Sequence, residues 1–459
     1  MGAPHRKTSV DLSLLLPMVA AVLAAVAFYT LIGFIPGTDE TSVLLPVTLA
    51  LVLAGTDPQV VLAFFIAAVV TLNLTNSIPT ALVGLPGGVL SAPMIDHALV
   101  LKRQGRAAET IRKMAAGSVV GTLIAIPLAL LIASAITPLA DQLREYGSLL
   151  FVGGAVVLAL LGKNKVLSLL AIVPLGLLFQ GVQALYRQTG VLPEDGTITV
   201  SFFLAITAGP LLLSLTTLLN PTLRAAMPRA GRTPVRITTS ELRGAPLSPR
   251  RLLTRAELGA SATVSAASTP LFFLSPVALT LLMGEAAGGR AKEPAERSSR
   301  AVTAMAALAH STYLAGVIIP LLAIGLPLSP VAVGPANALF NAPPVLTLDN
   351  NLHHLLTTSQ FVVAVLVGGS IALVLSYVLA VRYSFRLTAL VTRYVPHEAV
   401  LALFVVFVLL LAYLDAGLVN VFAVLLVGLT CGTLNRLGVN FGVQFMSLYA
   451  APWFVTHLM

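Results

Sequence analysis

Two stretches of this chain, far apart in sequence, share the same unusual pattern of prolines and glycine. Residues 78–86 read Ile-Pro-Thr-Ala-Leu-Val-Gly-Leu-Pro and residues 319–327 read Ile-Pro-Leu-Leu-Ala-Ile-Gly-Leu-Pro. Each stretch lies in an apolar segment long enough to cross a bilayer. Because proline lacks a backbone donor and glycine weakens a helix, we expect each stretch to break a helix inside the membrane. Paired breaks of this kind indicate the substrate site of a transporter.

The composition places most of the chain in lipid rather than in water. Hydrophobic residues make up 57% of the sequence and charged residues 10%, whereas a soluble domain carries about 25% charged residues. The sequence therefore predicts an all-α, polytopic integral membrane protein with about 10–14 transmembrane or re-entrant helices. The candidate spans lie at 12–35, 43–74, 114–137, 147–161, 164–186, 199–220, 256–283, 301–325, 360–383, 397–415, 418–433 and 438–458.

Two apolar regions contain additional polar and helix-breaking residues. In 43–101 and in 256–345 we expect broken helices and re-entrant hairpins, because irregular backbone at membrane depth is tolerated only where protein or water surrounds it. The first span is too long for the apolar core of a signal peptide, and no small-residue cleavage site follows it. We interpret it as a retained first helix.

A basic, proline-rich segment divides the chain near its middle. We assign 1–220 to a first transmembrane repeat, 221–255 to a basic cytoplasmic linker and 256–459 to a second transmembrane repeat. The net charge of +9 lies largely in such loops, which follows the positive-inside bias and does not indicate nucleic-acid binding. We expect a multi-pass protein of the cytoplasmic (inner) membrane with its N-terminus in the cytoplasm.

The charge of the loops reverses between the two halves. The loop after the first motif is basic, with Lys102, Arg103 and Arg106, whereas 343–357 contains no lysine or arginine. Before the motifs the bias is opposite, since the first is preceded by acidic residues and the second by the basic stretch 290–300. A reversed charge bias is what an inverted-topology repeat predicts.

Polar and small residues around the first motif are the first candidates for a binding site. Gly87 and Gly88 allow close approach of backbone to a ligand, and the helix that follows would direct its positive N-terminal end at the break, where anions bind. A packing kink at a helix interface is the alternative, and the second copy of the motif favours function. The predicted residues are Asn76, Pro86, Gly87, Gly88 and Ser91 for substrate, and Asn73 and Thr75 for a coupling ion or proton.

The second motif is less polar than the first. Pro327 and Ser329 are its predicted substrate contacts. Upstream, His310 and Ser311 are predicted to serve a coupling ion or proton, because a histidine at membrane depth is costly unless partnered and titrates near neutral pH. An interfacial histidine near a helix end is the alternative.

A third break lies near the start of the chain, where residues 33–37 read Gly-Phe-Ile-Pro-Gly and an acidic stretch follows. Asp39 is predicted to bind the coupling ion, with Glu40 as a further candidate. An ordinary external loop is the simpler interpretation for both acids. The predicted substrate contacts at this break are Pro36, Gly37 and Thr38.

The sequence contains no hydrolase, kinase, zinc or phosphate-loop motif. Its single cysteine, Cys431, excludes an internal disulfide and a cysteine-built metal site. Asp96 and His97 fit either a proton relay or an interfacial position before Lys102. We therefore expect a protein that is not an enzyme and has no cofactor apart from Na⁺ or H⁺ as a coupling ion.

The order and spacing of these motifs resemble the large membrane (permease) subunit of the tripartite tricarboxylate transporters. The family's Pro-Gly break followed by Leu-Leu-Pro is matched at 35–46, its second Pro-Gly break with a downstream Asp at 86–105, and its Ile-Pro to Gly-x-Pro stretch at 319–337. The resemblance implies a secondary transporter that uses a sodium or proton gradient to take up organic anions. It also implies a small membrane subunit and a periplasmic binding protein as partners.

The second half departs from the family's pattern, because a Pro-Gly-x-Gly break corresponds here to Pro-Leu-Phe-Phe at 270–273. We still assign Ser268 and Thr269 to the substrate site. Phe272 and Phe273 favour an anion with a large hydrophobic part, so the alternative cargo is an amphiphilic lipid anion such as a polyprenyl phosphate, translocated for envelope biogenesis. A membrane-embedded enzyme acting on lipids is a third class, for which the sequence offers few acid–base residues.

Overall fold

A computed structural model describes residues 12–35, 40–82, 87–193, 197–222, 247–394 and 397–458. These residues form α-helices joined by turns and short 3₁₀ or π segments, and the only β-type pairings among them are two isolated bridges. The helices are α1 (Leu15–Gly33), α2 (Glu40–Leu53), α3 (Pro58–Thr75), α4 (Ser77–Leu82), α5 (Ile95–Arg103), α6 (Ala107–Ile136), α7 (Ala140–Glu145), α8 (Gly147–Leu160), α9 (Lys165–Gln188), α10 (Thr199–Leu219), α11 (Pro249–Leu252), α12 (Arg255–Ser268), α13 (Pro276–Gly288), α14 (Pro294–Ala323), α15 (Pro330–Val333), α16 (Leu352–Leu355), α17 (Thr358–Val378), α18 (Ser384–Tyr394), α19 (His397–Arg436) and α20 (Phe441–Leu458).

Long apolar helices dominate the described part of the chain. Eight stretches there are long and apolar enough to cross a membrane, and three shorter apolar helices accompany them. The prediction of an all-α polytopic membrane protein is confirmed. The eight stretches are Leu15–Gly33, Pro58–Leu82, Ala107–Leu139, Lys165–Gln188, Thr199–Thr217, Pro294–Ala323, Thr358–Thr388 and Ala402–Arg436.

Two of the candidate spans are divided between helices. The span predicted at 43–74 comprises α2 and α3, and the span predicted at 256–283 comprises α12 and α13. Capping residues explain both divisions: the side chain of Asp57 accepts a hydrogen bond from the backbone of Gln59 at 2.8 Å, and Ser275 begins α13 in the same way. A proline follows each cap, at the position where the missing backbone donor costs nothing.

The longest helix, α19, changes direction near its middle. Ala416 and Gly417 have non-helical backbone angles, with φ of 73° at Gly417. The side chain of Asn420 donates to the carbonyl of Ala412 at 2.8 Å, although residues eight apart in a continuous helix are about 12 Å apart. The chain therefore turns here, and the separate spans predicted at 397–415 and 418–433 agree with this turn.

Helices from the two halves of the chain pack in an exchanged arrangement. In the first half α1 packs on α3, and both contact α17 of the second half. In the second half α12 packs on α14, and both contact α6 of the first half. The later helices repeat the pattern, since α10 packs on α19 whereas α20 packs on α8 and α9. Each half is thus completed by helices of the other half.

Glycines allow the exchanged helices to approach closely. On α6, a Cβ atom added at Gly117 or Gly121 would collide with the backbone carbonyl of Thr303 or Ala307 on α14. On α17, a Cβ atom at Gly368 would collide with the carbonyl of Ala63 on α3. Small residues at such crossings are the usual means of close helix association in membranes. The α6–α14 and α3–α17 crossings therefore use the same kind of contact.

We expect Gly121→Val to destabilise the protein, because the new side chain would force α6 away from α14. The expected loss is about 1–3 kcal/mol, as for other overpacked interiors. The measurement is the thermal unfolding midpoint of the purified protein in detergent. Gly181→Val on α9 is the matched control, since nothing lies within 4 Å of a Cβ atom at that position. Equal midpoints for the two variants would contradict the close α6–α14 contact.

Candidate functional site

The second motif breaks its helix at the glycine rather than at the first proline. Pro320 lies inside α14, which continues to Ala323. Gly325 then adopts φ of 74°, a left-handed conformation that favours glycine. The freed carbonyls at this helix end are satisfied by the loop that follows: Asn351 donates to Gly325 at 2.8 Å, and His353 Nδ1 lies 3.0 Å from the carbonyl of Leu322.

In the first motif the first proline, Pro79, likewise lies inside a helix, α4. Residues 83–86 lie outside the described ranges, and the chain continues at Gly87. A Cβ atom added at Gly87 would collide with the backbone of Asn76. Both Gly87 and Gly88 thus lie where other parts of the protein leave no room for a side chain. A substitution at Gly87 would disturb packing, whatever the ligand.

The backbone amides after the first break are occupied by protein groups in this state. Gly87 N–H donates to Thr80 Oγ1 at 3.3 Å and Gly88 N–H donates to Ser91 Oγ at 3.0 Å. The next two amides, of Val89 and Leu90, donate to the carboxylate of Glu40 at 3.2 and 3.5 Å. The predicted amides of Gly87 and Gly88 therefore donate to hydroxyls, and the two amides that follow them donate to a carboxyl group of the same protein.

Glu40 is the central charged residue of this region. It is the first residue of α2, and only 4% of its surface is exposed. Besides the two amides, its Oε1 accepts a hydrogen bond from Asn76 Nδ2 at 3.4 Å. The interpretation of Glu40 as part of an external loop is wrong, because the carboxylate is buried and closes the first break.

A cavity of about 150 Å³ lies beside Glu40, between the two halves of the chain. The start of α2 and the 3₁₀ segment Val89–Met94 come from the first half, and the starts of α13, α15 and α20 come from the second half. The starts of five helical segments therefore meet at one cavity. The lining residues are Glu40, Thr41, Val89, Leu90, Leu158, Leu161, Ser275, Pro276, Val277, Tyr313, Pro330, Val331, Pro335, Asn440, Phe441 and Gly442.

The packing around the cavity is again reciprocal between the halves. The 3₁₀ segment that follows the first break, Val89–Met94, contacts α13 of the second half. The 3₁₀ segment that follows the second break, Asn337–Leu339, contacts α2 of the first half. The two breaks therefore meet the helix starts of the opposite halves.

The predicted substrate residues lie around the cavity rather than in its lining. Asn76, Gly87, Gly88 and Ser91 come together beside Glu40, as described above. Ser329 caps α15, accepting from Ala332 N–H at 3.0 Å and donating to the carbonyl of Gly316 at 2.5 Å. Pro327 is buried in the second break. The predictions for Pro36, Gly37, Thr38, Asp39 and Pro86 fall outside the described residues.

Ser268 and Thr269, also predicted for substrate, lie at the end of α12. Ser268 Oγ lies 2.9 Å from Ser311 Oγ on α14, and Thr269 donates to the carbonyl of Ser265 at 2.8 Å. These hydroxyls satisfy one another and the helix backbone. The second-half break that lines the cavity lies a few residues later, at Ser275–Val277.

The residues predicted for a coupling ion or proton lie in the packed interior of α3 and α14. His310 is fully buried, with Nδ1 3.1 Å from the carbonyl of Ala306 and Nε2 3.3 Å from the carbonyl of Val70. Thr75 donates to the carbonyl of Thr71 on its own helix at 2.8 Å. Asn73 is buried, and its Nδ2 has no hydrogen-bond partner among the described atoms.

A buried charged cluster connects α6 of the first half to α12 and α14 of the second half. Lys113 of α6 donates to Glu257 of α12 at 2.7 Å and to Ser299 of α14 at 2.8 Å. Burial disfavours the charged form of Glu257, but hydrogen bonds from Lys113, Ser299 and the backbone of Thr254 outweigh it and lower the pKa of this carboxyl. The pair therefore contributes to stability at neutral pH, and this contribution is lost as the pH falls below about 4.3.

His97 also connects the two halves, through contacts of its two ring nitrogens. Its Nε2 lies 2.7 Å from Glu285 of α13, and its Nδ1 lies 3.3 Å from Ser298 of α14. Asp96 is exposed. The structure therefore places His97 in a polar contact between the halves and places Asp96 on the surface, so the two do not form a buried relay.

The comparison with known proteins agrees with this architecture. A model of the tripartite tricarboxylate transporter TctA family matches residues 19–443. The chain belongs to this family. TctA proteins are the large permease subunits of tripartite tricarboxylate transporters, so membrane transport is the activity at the family level. No curated protein and no solved structure matches the chain.

Several residues that line the cavity of this TctA protein could not be predicted from sequence motifs. Ser275, Tyr313 and Asn440 lie outside the repeated motifs, and no local pattern brings them together. Glu40 carried a usable signal, because it directly precedes an apolar helix and acidic residues are favourable at helix starts. Its burial depends on the amides of Val89 and Leu90, some fifty residues away, which the sequence does not connect to it.

We expect Lys113→Met to destabilise the protein by about 3–5 kcal/mol, because it leaves the Glu257 carboxylate buried without its cation. Adding Glu257→Gln should recover a large part of this loss. The measurement is the unfolding midpoint of each single variant and of the double variant. Lys163→Met, at an exposed position, is the control. A double variant no more stable than Lys113→Met alone would contradict the ion pair.

Proposed function

We propose that this protein is an ion-gradient-driven permease that moves an organic anion across the cytoplasmic membrane. The charged group of the substrate would bind in the cavity between the two halves. The observation that carries this proposal is that helix starts from both halves line one cavity. Helix starts offer backbone N–H groups and a positive dipole end, which stabilise an anion without a lysine or arginine.

The size and chemistry of the cavity fit the charged end of a small organic anion. A volume of about 150 Å³ corresponds to roughly five water molecules at about 30 Å³ each. Apolar walls at Val277, Leu90 and Val331 surround polar groups from Thr41, Ser275 and Asn440. A carboxylate with a few attached carbons fits such a site. A larger substrate would extend beyond the cavity.

The arrangement of the two halves supports alternating access. We propose that they are inverted-topology repeats and that movement of one motif-bearing block against the other opens the cavity to either side in turn. The basic segment 221–255 would be a cytoplasmic linker between them, and the N-terminus would lie in the cytoplasm. Family membership supports a small membrane subunit and a periplasmic binding protein as partners.

An amphiphilic lipid anion, such as a polyprenyl phosphate, is the second candidate cargo. Phe273 favours it, because this aromatic side chain is 49% exposed and lies two residues before the cavity residue Ser275. Its ring could contact a lipid chain whose headgroup enters the cavity. Neither Phe272 nor Phe273 lines the cavity itself, so a small solute remains the first candidate.

Thermal stabilisation of the purified protein distinguishes these cargoes. The panel contains citrate, succinate, and short- and long-chain prenyl phosphates, each with and without sodium. Stabilisation by the carboxylates supports the solute permease, and a further increase with sodium would identify the coupling ion. Stabilisation by the prenyl phosphates alone would make the protein a translocator of lipid anions.

We expect Val277→Phe to weaken binding of the stabilising anion by at least tenfold, because the larger side chain fills the cavity. The measurement is calorimetric titration of the protein with that anion. Val374→Phe is the matched control, since Val374 is 62% exposed on α17 and does not line the cavity. Equal affinities for the two variants would show that the anion binds elsewhere.

A further inference from the structure

We propose that Glu40 carries the coupling proton, because its carboxylate holds the amides after the first break until protonation releases them to the substrate. This inference rests on the proposed function and assigns the coupling within the same site. In the cycle, a Glu40 oxygen takes a proton from water on one side of the membrane as the anion enters. The proton returns to water on the other side as the anion leaves, and the carboxylate then binds the amides again.

The geometry of the first break fits a carboxylate. Both oxygens of Glu40 are engaged, Oε2 by Val89 N–H at 3.2 Å and Oε1 by Leu90 N–H at 3.5 Å and by Asn76 Nδ2 at 3.4 Å. Gly88 lies beside them, and a Cβ atom there would collide with Glu40 Oε1. Amides placed in this way would bind a substrate carboxylate by the same contacts, so the two anions compete for them.

Asn76 independently indicates that the protonated form of Glu40 would also have a hydrogen-bond partner. Its side chain is 2% exposed, and its Oδ1 has no hydrogen-bond partner among the described atoms. The same amide group contacts Glu40 through Nδ2. A protonated Glu40 has an O–H to donate, and Asn76 Oδ1 is a buried acceptor beside it. The site therefore has partners for both the charged and the neutral form.

Electrostatic repulsion prevents the Glu40 carboxylate and the substrate anion from occupying the site together. Glu40 lines the cavity in which the substrate anion would bind. At a separation of about 4 Å and an effective dielectric constant of about 20, repulsion between two anions weakens binding by on the order of a thousand-fold. Protonation of Glu40 removes this repulsion and frees the amides in one step. Anion and proton would thus bind together.

Other titratable groups lie in the cavity lining and on the elements that pack against α2. In the cavity lining, as far as the structure describes it, Tyr313 is the other titratable side chain, and no lysine, arginine or histidine is present. On α1, Tyr29 donates to the carbonyl of Val43 on α2 at 3.1 Å. Besides α1, the elements that pack against α2 are α3, α10, α19 and the segment Asn337–Leu339. The titratable residues of these elements whose side chains the structure describes, with the one that precedes α3, are Tyr29, Asp57, Tyr413, Asp415, Cys431 and Arg436.

The test measures anion binding and proton uptake in wild type and in Glu40→Gln, using whichever of citrate, succinate or prenyl phosphate stabilises the wild-type protein. Wild type should bind that anion up to tenfold more tightly for each unit by which the pH is lowered through the titration, with uptake of one proton. Glu40→Gln should bind independently of pH, at least as tightly as wild type at low pH, and without proton uptake. Glu296→Gln, an exposed acid on α14, should retain the wild-type behaviour.

Each outcome decides a separate question. If Glu40→Gln binds the anion with the pH dependence and proton uptake of wild type, Glu40 is not the carrier and the permease function still stands. If wild type binds none of the panel at any pH, the proposed function fails and this inference fails with it. If Glu40→Gln does not fold, Glu40→Asp replaces it. The shorter carboxylate should hold the amides less well and raise anion affinity at pH 7.5, and an unchanged affinity would overturn the proposal.

Discussion

The architecture of this TctA protein depends on satisfying the backbone wherever a helix is broken at membrane depth. Water is absent from the hydrocarbon layer, so every freed N–H or C=O needs a partner from the protein. At the first break the partners are Thr80, Ser91 and Glu40, which accept from four successive amides. At the second break Asn351 and His353 cover the freed carbonyls of α14. The backbone groups described at both breaks are therefore paired with protein groups. A ligand that bound to these backbone groups would have to displace one of those partners.

The exchanged helix packing explains how two broken segments come to share one cavity. The first long helix after each break packs on a helix that precedes the other break: α6 on α14, and α17 on α3. The glycines on α6 and α17 let these helices approach one another closely. The Lys113–Glu257 ion pair and the His97–Glu285 hydrogen bond add polar contacts between the halves. A movement that opens the cavity has to preserve or exchange these contacts.

Sequence patterns predicted the class of fold and the end of α14 at the second motif, because apolar length and helix-breaking residues are local properties. The Gly-Leu-Pro end of the second motif ends α14, as expected, although Pro320 does not interrupt it. Contacts between residues far apart in sequence determine the rest of the candidate site. Nothing near Glu40 in the sequence indicates that the amides of Val89 and Leu90 enclose it, and the cavity residues Ser275 and Asn440 come from segments without a motif. The polar residues found by pattern surround the site, whereas residues at helix starts line it.

The two halves contribute chemically different groups at the cavity, and this difference bears on the proposed coupling. The second-half helices α13 and α15 begin with the serines Ser275 and Ser329, whose hydroxyls cap backbone amides at 3.4 and 3.0 Å. The first-half helix α2 begins with an acid that reaches the amides of another segment. A serine cap is neutral and can rotate away from an incoming anion at little electrostatic cost. A carboxylate cannot share donors with a second anion unless its charge is removed. In the proposed mechanism, one half would therefore offer neutral donors to a substrate, while the other would make access depend on the protonation of Glu40.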